Sequence, residues 1–134
     1  MRFAPVLVFA VACVGVTDED WQLQSHVDEG TVCVDDQGTE IAIHVTLADC
    51  MSSSCSRAFS GSCEAALIDD ATITLTSTLS WEQNVASGAE CTDDCGIPEA
   101  TCTLPAVPEG SYTIQFGGDA IEITVPATEP CSPF

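Results

Sequence analysis

Nine cysteines dominate the reactive side chains of this chain: Cys13, Cys33, Cys50, Cys55, Cys63, Cys91, Cys95, Cys102 and Cys131 in 134 residues. Thiols at that density ligate a soft metal, run thiol–disulfide exchange or staple a small fold. Spacing separates these uses. No C-x-x-C occurs, and the closest pairs are Cys50 with Cys55 and Cys91 with Cys95. A thioredoxin-type centre or paired zinc knuckles want the tighter spacing, so structural disulfides are expected.

The other polar groups form no catalytic pattern. His26 and His44 are joined by no ligand-like spacing, and each reads as a solvated side chain rather than half of a metal site. Asp35 with Asp36, Asp69 with Asp70, Asp93 with Asp94 and the run Asp18-Glu19-Asp20 offer the hard oxygens that calcium takes. None spells a D-x-D-x-D-G loop, and acidic turns on a solvated surface account for them. A serine hydrolase needs a nucleophile, a base and an orienting acid, but Ser60 and Ser62 lie in no G-x-S-x-G elbow. Glycosidase-type acid pairs cannot be singled out among so many carboxylates. Trp81, in phase with Ile73, Leu75 and Leu79, reads as core rather than a sugar-stacking platform, and Trp21 is the freer of the two. The expectation is a non-enzymatic chain without cofactor or resident metal.

Charge narrows the partners. Against 21 Asp and Glu stand only Arg2 and Arg57, for a formal net charge of −19. A nucleic-acid surface needs clustered Lys and Arg, and so does a patch that adheres to anionic lipid. An apolar fraction of 46% is too high for a disordered acidic chain, which puts the charges on a folded surface.

Cysteine density points to an oxidising compartment, and the N-terminus agrees. Arg2 precedes an apolar run over 3–12, too short to span a bilayer but long enough for the apolar stretch of an export signal. Ala10-Val11-Ala12 is a signal-peptidase type of site, and Ala10-Val11-Ala12-Cys13 also resembles a bacterial lipobox. Acylation of Cys13 would leave eight cysteines, an even number able to pair completely, whereas ordinary secretion would leave Cys13 free or removed. The expected organisation is a signal peptide over 1–12, a lipid anchor and acidic tether over 13–30, and a folded domain over 31–134.

Within that domain the hydrophobic pattern has period two. Short strands are predicted over 31–35, 41–47, 63–67, 71–80 and 100–104, followed by a hairpin of Tyr112, Ile114 and Phe116 turning at Gly117-Gly118 into Ile121, Ile123 and Val125. About seven strands without an amphipathic helix indicate an all-β, antiparallel sandwich stapled by disulfides. Two polar, Cys-bearing loops interrupt it, at 49–61 and 82–98.

The order Cys50-Met-Ser-Ser-Ser-Cys55, Cys63, Cys91-Thr-Asp-Asp-Cys95-Gly, Ala100-Thr101-Cys102 and Glu109-Gly-Ser-Tyr-Thr-Ile114 with Gly117-Gly118 resembles small Cys-rich lipoproteins of myxobacteria-like bacteria. The resemblance covers nearly the whole chain after the signal. It implies an immunoglobulin-like sandwich but brings no assigned activity and no catalytic residues. Cys63 and Cys102 stand closer in sequence than that fold's usual inter-sheet pair.

Strand phase narrows the disulfides. Cys63 aligns with Ala65 and Leu67, and Cys102 with Ala100 and Leu104, so both face the core and can pair. Cys33 lies opposite Val32 and Val34, where Cys131 of the tail could reach it. Cys50, Cys55, Cys91 and Cys95 sit in loops, with local closures entropically cheapest and crossed pairing open. The functional expectation is an exported lipoprotein of the outer membrane or cell surface, or a secreted or periplasmic chain, acting as a binding or structural module. Its partner would be a protein, a glycan or a cation, met through the two loops, with the membrane touched only through the anchor. A calcium-dependent module and a small exported hydrolase are the alternatives.

Overall fold

The computed structural model describes residues 18–127, which are all-β apart from a 3-10 turn at Asp18–Asp20. Eight strands follow one another among the described residues: β1 (Trp21–Val27), β2 (Thr31–Asp36), β3 (Glu40–Thr46), β4 (Ser56–Leu67), β5 (Thr72–Asn84), β6 (Glu99–Pro105), β7 (Gly110–Phe116) and β8 (Asp119–Val125). They build two sheets. In the smaller, β3 lies between β2 and β6, all antiparallel. In the larger, β5 runs beside β4 along one edge and shares its other edge between β1 and β7, with β8 outside β7.

Alternation explains which side of each strand is buried. Ile73, Leu75, Ser77, Leu79 and Trp81 of β5 point inward, while threonines take the outward phase. Ile41, Ile43 and Val45 of β3, Ala100, Cys102 and Leu104 of β6, and Tyr112, Ile114 and Phe116 of β7 complete the layer between the sheets. The Tyr112 hydroxyl, buried with its ring, donates to the Pro108 carbonyl at 2.7 Å. The Cys63–Cys102 disulfide joins β4 to β6 across the sheets, as strand phase predicts. Beside it the strands come so close that a Cβ on Gly61 would collide with the Glu99 carbonyl.

Three features depart from the sequence reading. Residues 18–30, expected within an acidic tether, are folded, because β1 pairs antiparallel with the C-terminal half of β5 from Trp21 opposite Asn84 to Val27 opposite Thr78. That strand is the addition to the seven expected. Second, β5 and β7 run parallel over Thr72–Thr74, a direction that alternation within a strand does not encode. Third, β4 starts at Ser56 and β5 continues to Asn84, so the ladder between them consumes residues assigned to loops.

The shared edge of β5 needs a seam, because β7 pairs only as far as Thr74 and β1 only from Thr78. Asp28 closes it. With a positive φ of 53°, it turns its amide to the Ser77 carbonyl at 2.9 Å and its carboxylate to the Ser77 amide at 2.8 Å. Both backbone groups of Ser77 thereby find partners. The β7–β8 turn abuts the same point: Gly117 has φ of +58°, and a Cβ there would strike the Asp28 carbonyl. The Ser77 hydroxyl, on the core side and in a residue only 4% exposed, has no hydrogen-bond partner among the described residues.

Removing the Asp28 carboxylate strands a backbone donor, so Asp28→Ala should lower unfolding stability by about 1–3 kcal/mol. Ser77→Ala removes an unsatisfied buried hydroxyl and should be neutral or stabilising by about 1 kcal/mol. Urea unfolding under oxidising conditions measures both; an Asp28→Ala protein as stable as the parent would show that the seam does not depend on this carboxylate.

Candidate functional site: two loops stapled at one pole

The connection from β3 to β4 and the connection from β5 to β6 leave the same pole of the molecule, where β1 begins. They are joined twice, by Cys50–Cys95 and by Cys55–Cys91. The crossed pairing is therefore the one formed. Met51 and Gly96, each following a cysteine of the first staple, exchange backbone hydrogen bonds of 2.9 and 2.7 Å, and the Asn84 amide donates to the Cys55 carbonyl at 2.8 Å. Cys33 is also disulfide-bonded, while its expected partner Cys131 and the expected acylation site Cys13 lie outside the described residues.

Between the staples sits a network of hydroxyls around Asp94. The Ser53 amide donates to the Asp94 carboxylate at 3.1 Å, the Thr92 hydroxyl donates to the same oxygen, and the Thr92 amide donates to the Ser54 hydroxyl at 2.8 Å. Ser52 meets Thr92 at 2.9 Å. Donors from Ser53 and then Thr92 favour the ionised carboxyl and hold its pKa down at about 2. The Phe59 ring lies against Gly96, next to Cys95, leaving no room for a side chain there, and the residue stays 38% exposed. Chemically this is a stiff display of hydroxyls and an ionised carboxylate, able to give and accept hydrogen bonds.

The acid pairs have local duties. Asp36 accepts from the Gly38 amide at 2.8 Å, and Asp69 from the Ala71 amide at 2.9 Å. The Ala71 amide, then the Thr72 hydroxyl, lower the pKa of Asp69. Among the described residues no three His, Cys, Asp or Glu side chains are arranged to hold a metal ion.

The two histidines do not meet. His26, on the inward phase of β1, stacks on Trp81 with ring centroids 5.3 Å apart and also contacts Glu29. Trp81 is only 7% exposed, the core position its phase predicts. His44 lies on the outer face of the smaller sheet, where the register sets Thr101 directly across from it. Its Nδ1 is 3.1 Å from the Thr101 hydroxyl and 3.3 Å from Glu99, and its Nε2 is 3.6 Å from Asp35. Sequence spacing had no means of joining residues brought together by strand register. An open groove of about 640 Å³ follows the Cys63–Cys102 bridge and includes Thr101, but His44, Asp35 and Glu99 do not line it.

Trp21 is not free either: the Arg57 guanidinium lies 4.2 Å from its ring centroid and bridges to Glu82 at 2.6 Å and Asp18 at 3.7 Å. No protein-family model, curated protein or solved structure matches this chain, so its chemistry is read from geometry alone.

The depressed Asp94 pKa sets a pH signature. A free aspartate has a pKa near ~3.9, so the stabilisation from these hydrogen bonds is complete above that value and vanishes as pH falls through about 2. The melting-temperature difference between the parent and Asp94→Asn should therefore be constant from pH 7 to about 5 and close progressively on further acidification. A difference that widens below pH 4 would contradict it.

Proposed function

We propose that this chain is an exported, lipid-anchored, non-enzymatic binding module that meets its ligand through the doubly stapled pole. The observation that carries this reading is the fixing of two polar loops by two disulfides and a backbone bridge, which removes the ordering cost that flexible loops lose on binding. Three disulfides are compatible with an extracellular or periplasmic location. The partner that fits best is a neutral glycan: Ser52, Ser54, Thr92 and Asp94 offer donors and acceptors beside the Phe59 ring, and the acidic surface steers anions away. An immunoglobulin-like description of the sandwich is supported by the inter-sheet Cys63–Cys102 bridge and by the Tyr112 hydroxyl bonding four residues back along the chain.

A glycan array carrying neutral and acidic oligosaccharides tests the ligand. Binding to neutral glycans, weakened about tenfold by Phe59→Ala and by Thr92→Ala, supports the reading. Retention in both variants, or binding only to a protein ligand, sinks the glycan assignment. Calcium titration with a melting readout tests the cation alternative, because a ligand of the native state must raise the melting temperature. Intact-mass measurement of the membrane fraction, with and without Cys13→Ser, decides the anchor.

A hydrolase reading has one observation behind it, the line of Thr101 hydroxyl, His44 imidazole and Asp35 carboxylate. The line lies on an open sheet face, and the Thr101 hydroxyl also donates to Glu99 at 3.2 Å, which turns its proton from the imidazole. Ester hydrolysis that disappears in both Thr101→Ala and His44→Ala would establish this activity and overturn the non-enzymatic assignment; none is expected.

A further inference from the structure

β1 is amphipathic in the wrong direction. Trp21, Leu23, Ser25 and Val27 take the outward phase and Gln22, Gln24 and His26 the inward one, the reverse of β3, β5, β6 and β7. Leu23 is 73% exposed and Val27 61%, and Val85, whose amide bonds the Asp20 carbonyl beside Trp21, is also exposed. Single exposed apolar residues are ordinary, but three apolar side chains at the four outward positions of one strand mark a contact surface.

Position identifies what covers it. Cys13 precedes Asp18 by five residues, a spacer that reaches at most about 17 Å when fully extended. A lipid on Cys13 would therefore keep the entry to β1, at Asp18, within about 17 Å of the membrane surface. Charge adds little to this orientation: Arg57, the one basic residue after Cys13, lies over Trp21 on the outward face, where Glu82 and Asp18 already pair with it.

We propose that the outward face of β1 rests on the bilayer that holds Cys13, with Trp21 at headgroup level and Leu23 and Val27 at the edge of the acyl region. Trp is the side chain best suited to that boundary, with an apolar body and one hydrogen-bond donor. The proposal depends on acylation of Cys13 for its anchor, and the experiment keeps the two apart.

Two preparations are placed on phosphatidylethanolamine–phosphatidylglycerol vesicles containing doxyl-labelled lipid: the protein purified from membranes, and the chain from residue 13 onward carrying an N-terminal hexahistidine held by nickel-chelating lipid. The emission read is that of Trp21, obtained by difference from Trp21→Phe, since Trp81 is buried. Strong quenching of Trp21 is expected in both preparations, and Leu23→Glu with Val27→Glu should reduce it roughly fivefold without moving the melting temperature, as both side chains are exposed. Quenching with the nickel tether alone would leave the docking face standing and remove the natural lipid. Unquenched Trp21 on tethered protein overturns the proposal, and so does a concentration-dependent dimer that both glutamate substitutions abolish, because a second copy would then be what covers β1.

Discussion

Strand β5 is thirteen residues long, and on one edge none of its neighbours is long enough to pair it alone. Unpaired backbone inside a sheet costs about as much per group as a lost hydrogen bond, so that edge must be filled in pieces. β7 fills the start and β1 the end, and Asp28 supplies an amide and a carboxylate to Ser77, one of the three residues between them. Much follows from this division. The parallel β7 brings its hairpin turn against Asp28, and the antiparallel β1 brings the N-terminal segment to the pole from which both stapled loops emerge.

Strand phase in the sequence made the core legible. Ile41, Ile43 and Val45, the Tyr112 to Val125 hairpin and the inward position of Trp81 all follow from alternation, and so does the pairing of Cys63 with Cys102. Alternation says which face a residue takes and nothing about which strand lies beside it. That is why the parallel contact, the meeting of His44 with Thr101 and the crossed staples were not legible. Local closure of Cys50 with Cys55 would form the shorter loop, yet the ends of β3, β4, β5 and β6 place each of these thiols nearer a partner from the other connection. β1 escaped notice for a different reason: its apolar phase faces out, and the period-two signal was masked by acids just before it and by Asp28 and Glu29 just after.

The staples and the charge belong together. Disulfides linking positions 36 to 45 apart in sequence each contribute about 2–4 kcal/mol by restricting the unfolded chain. That margin helps a small core tolerate the self-repulsion of a strongly acidic surface. It also frees the loop sequence at the pole from any duty to fold on its own. Ser52, Ser54, Thr92 and Asp94 contribute little apolar burial, and their connections hold because covalent bonds and one backbone bridge hold them.

A surface arranged in this way divides its tasks by element. The core strands spend their inward phase on packing, and β3 and β6 display a polar outer face around His44 that the fold does not need for burial. The two features least explained by stability are an apolar outward strand phase and a rigid hydroxyl cluster, and both lie at the pole where the N-terminal segment enters. Chain connectivity alone therefore couples them. With the proposed docking of β1, the stapled loops would lie near that same surface, and the proposed ligand would have to be reachable there. The opposite pole, with the turns at 37–39 and 68–71, exposes Leu67 and Ile68 but has no stapled hydroxyl cluster among the described residues. The proposed anchor and the proposed contact surface therefore fall on one side of the molecule.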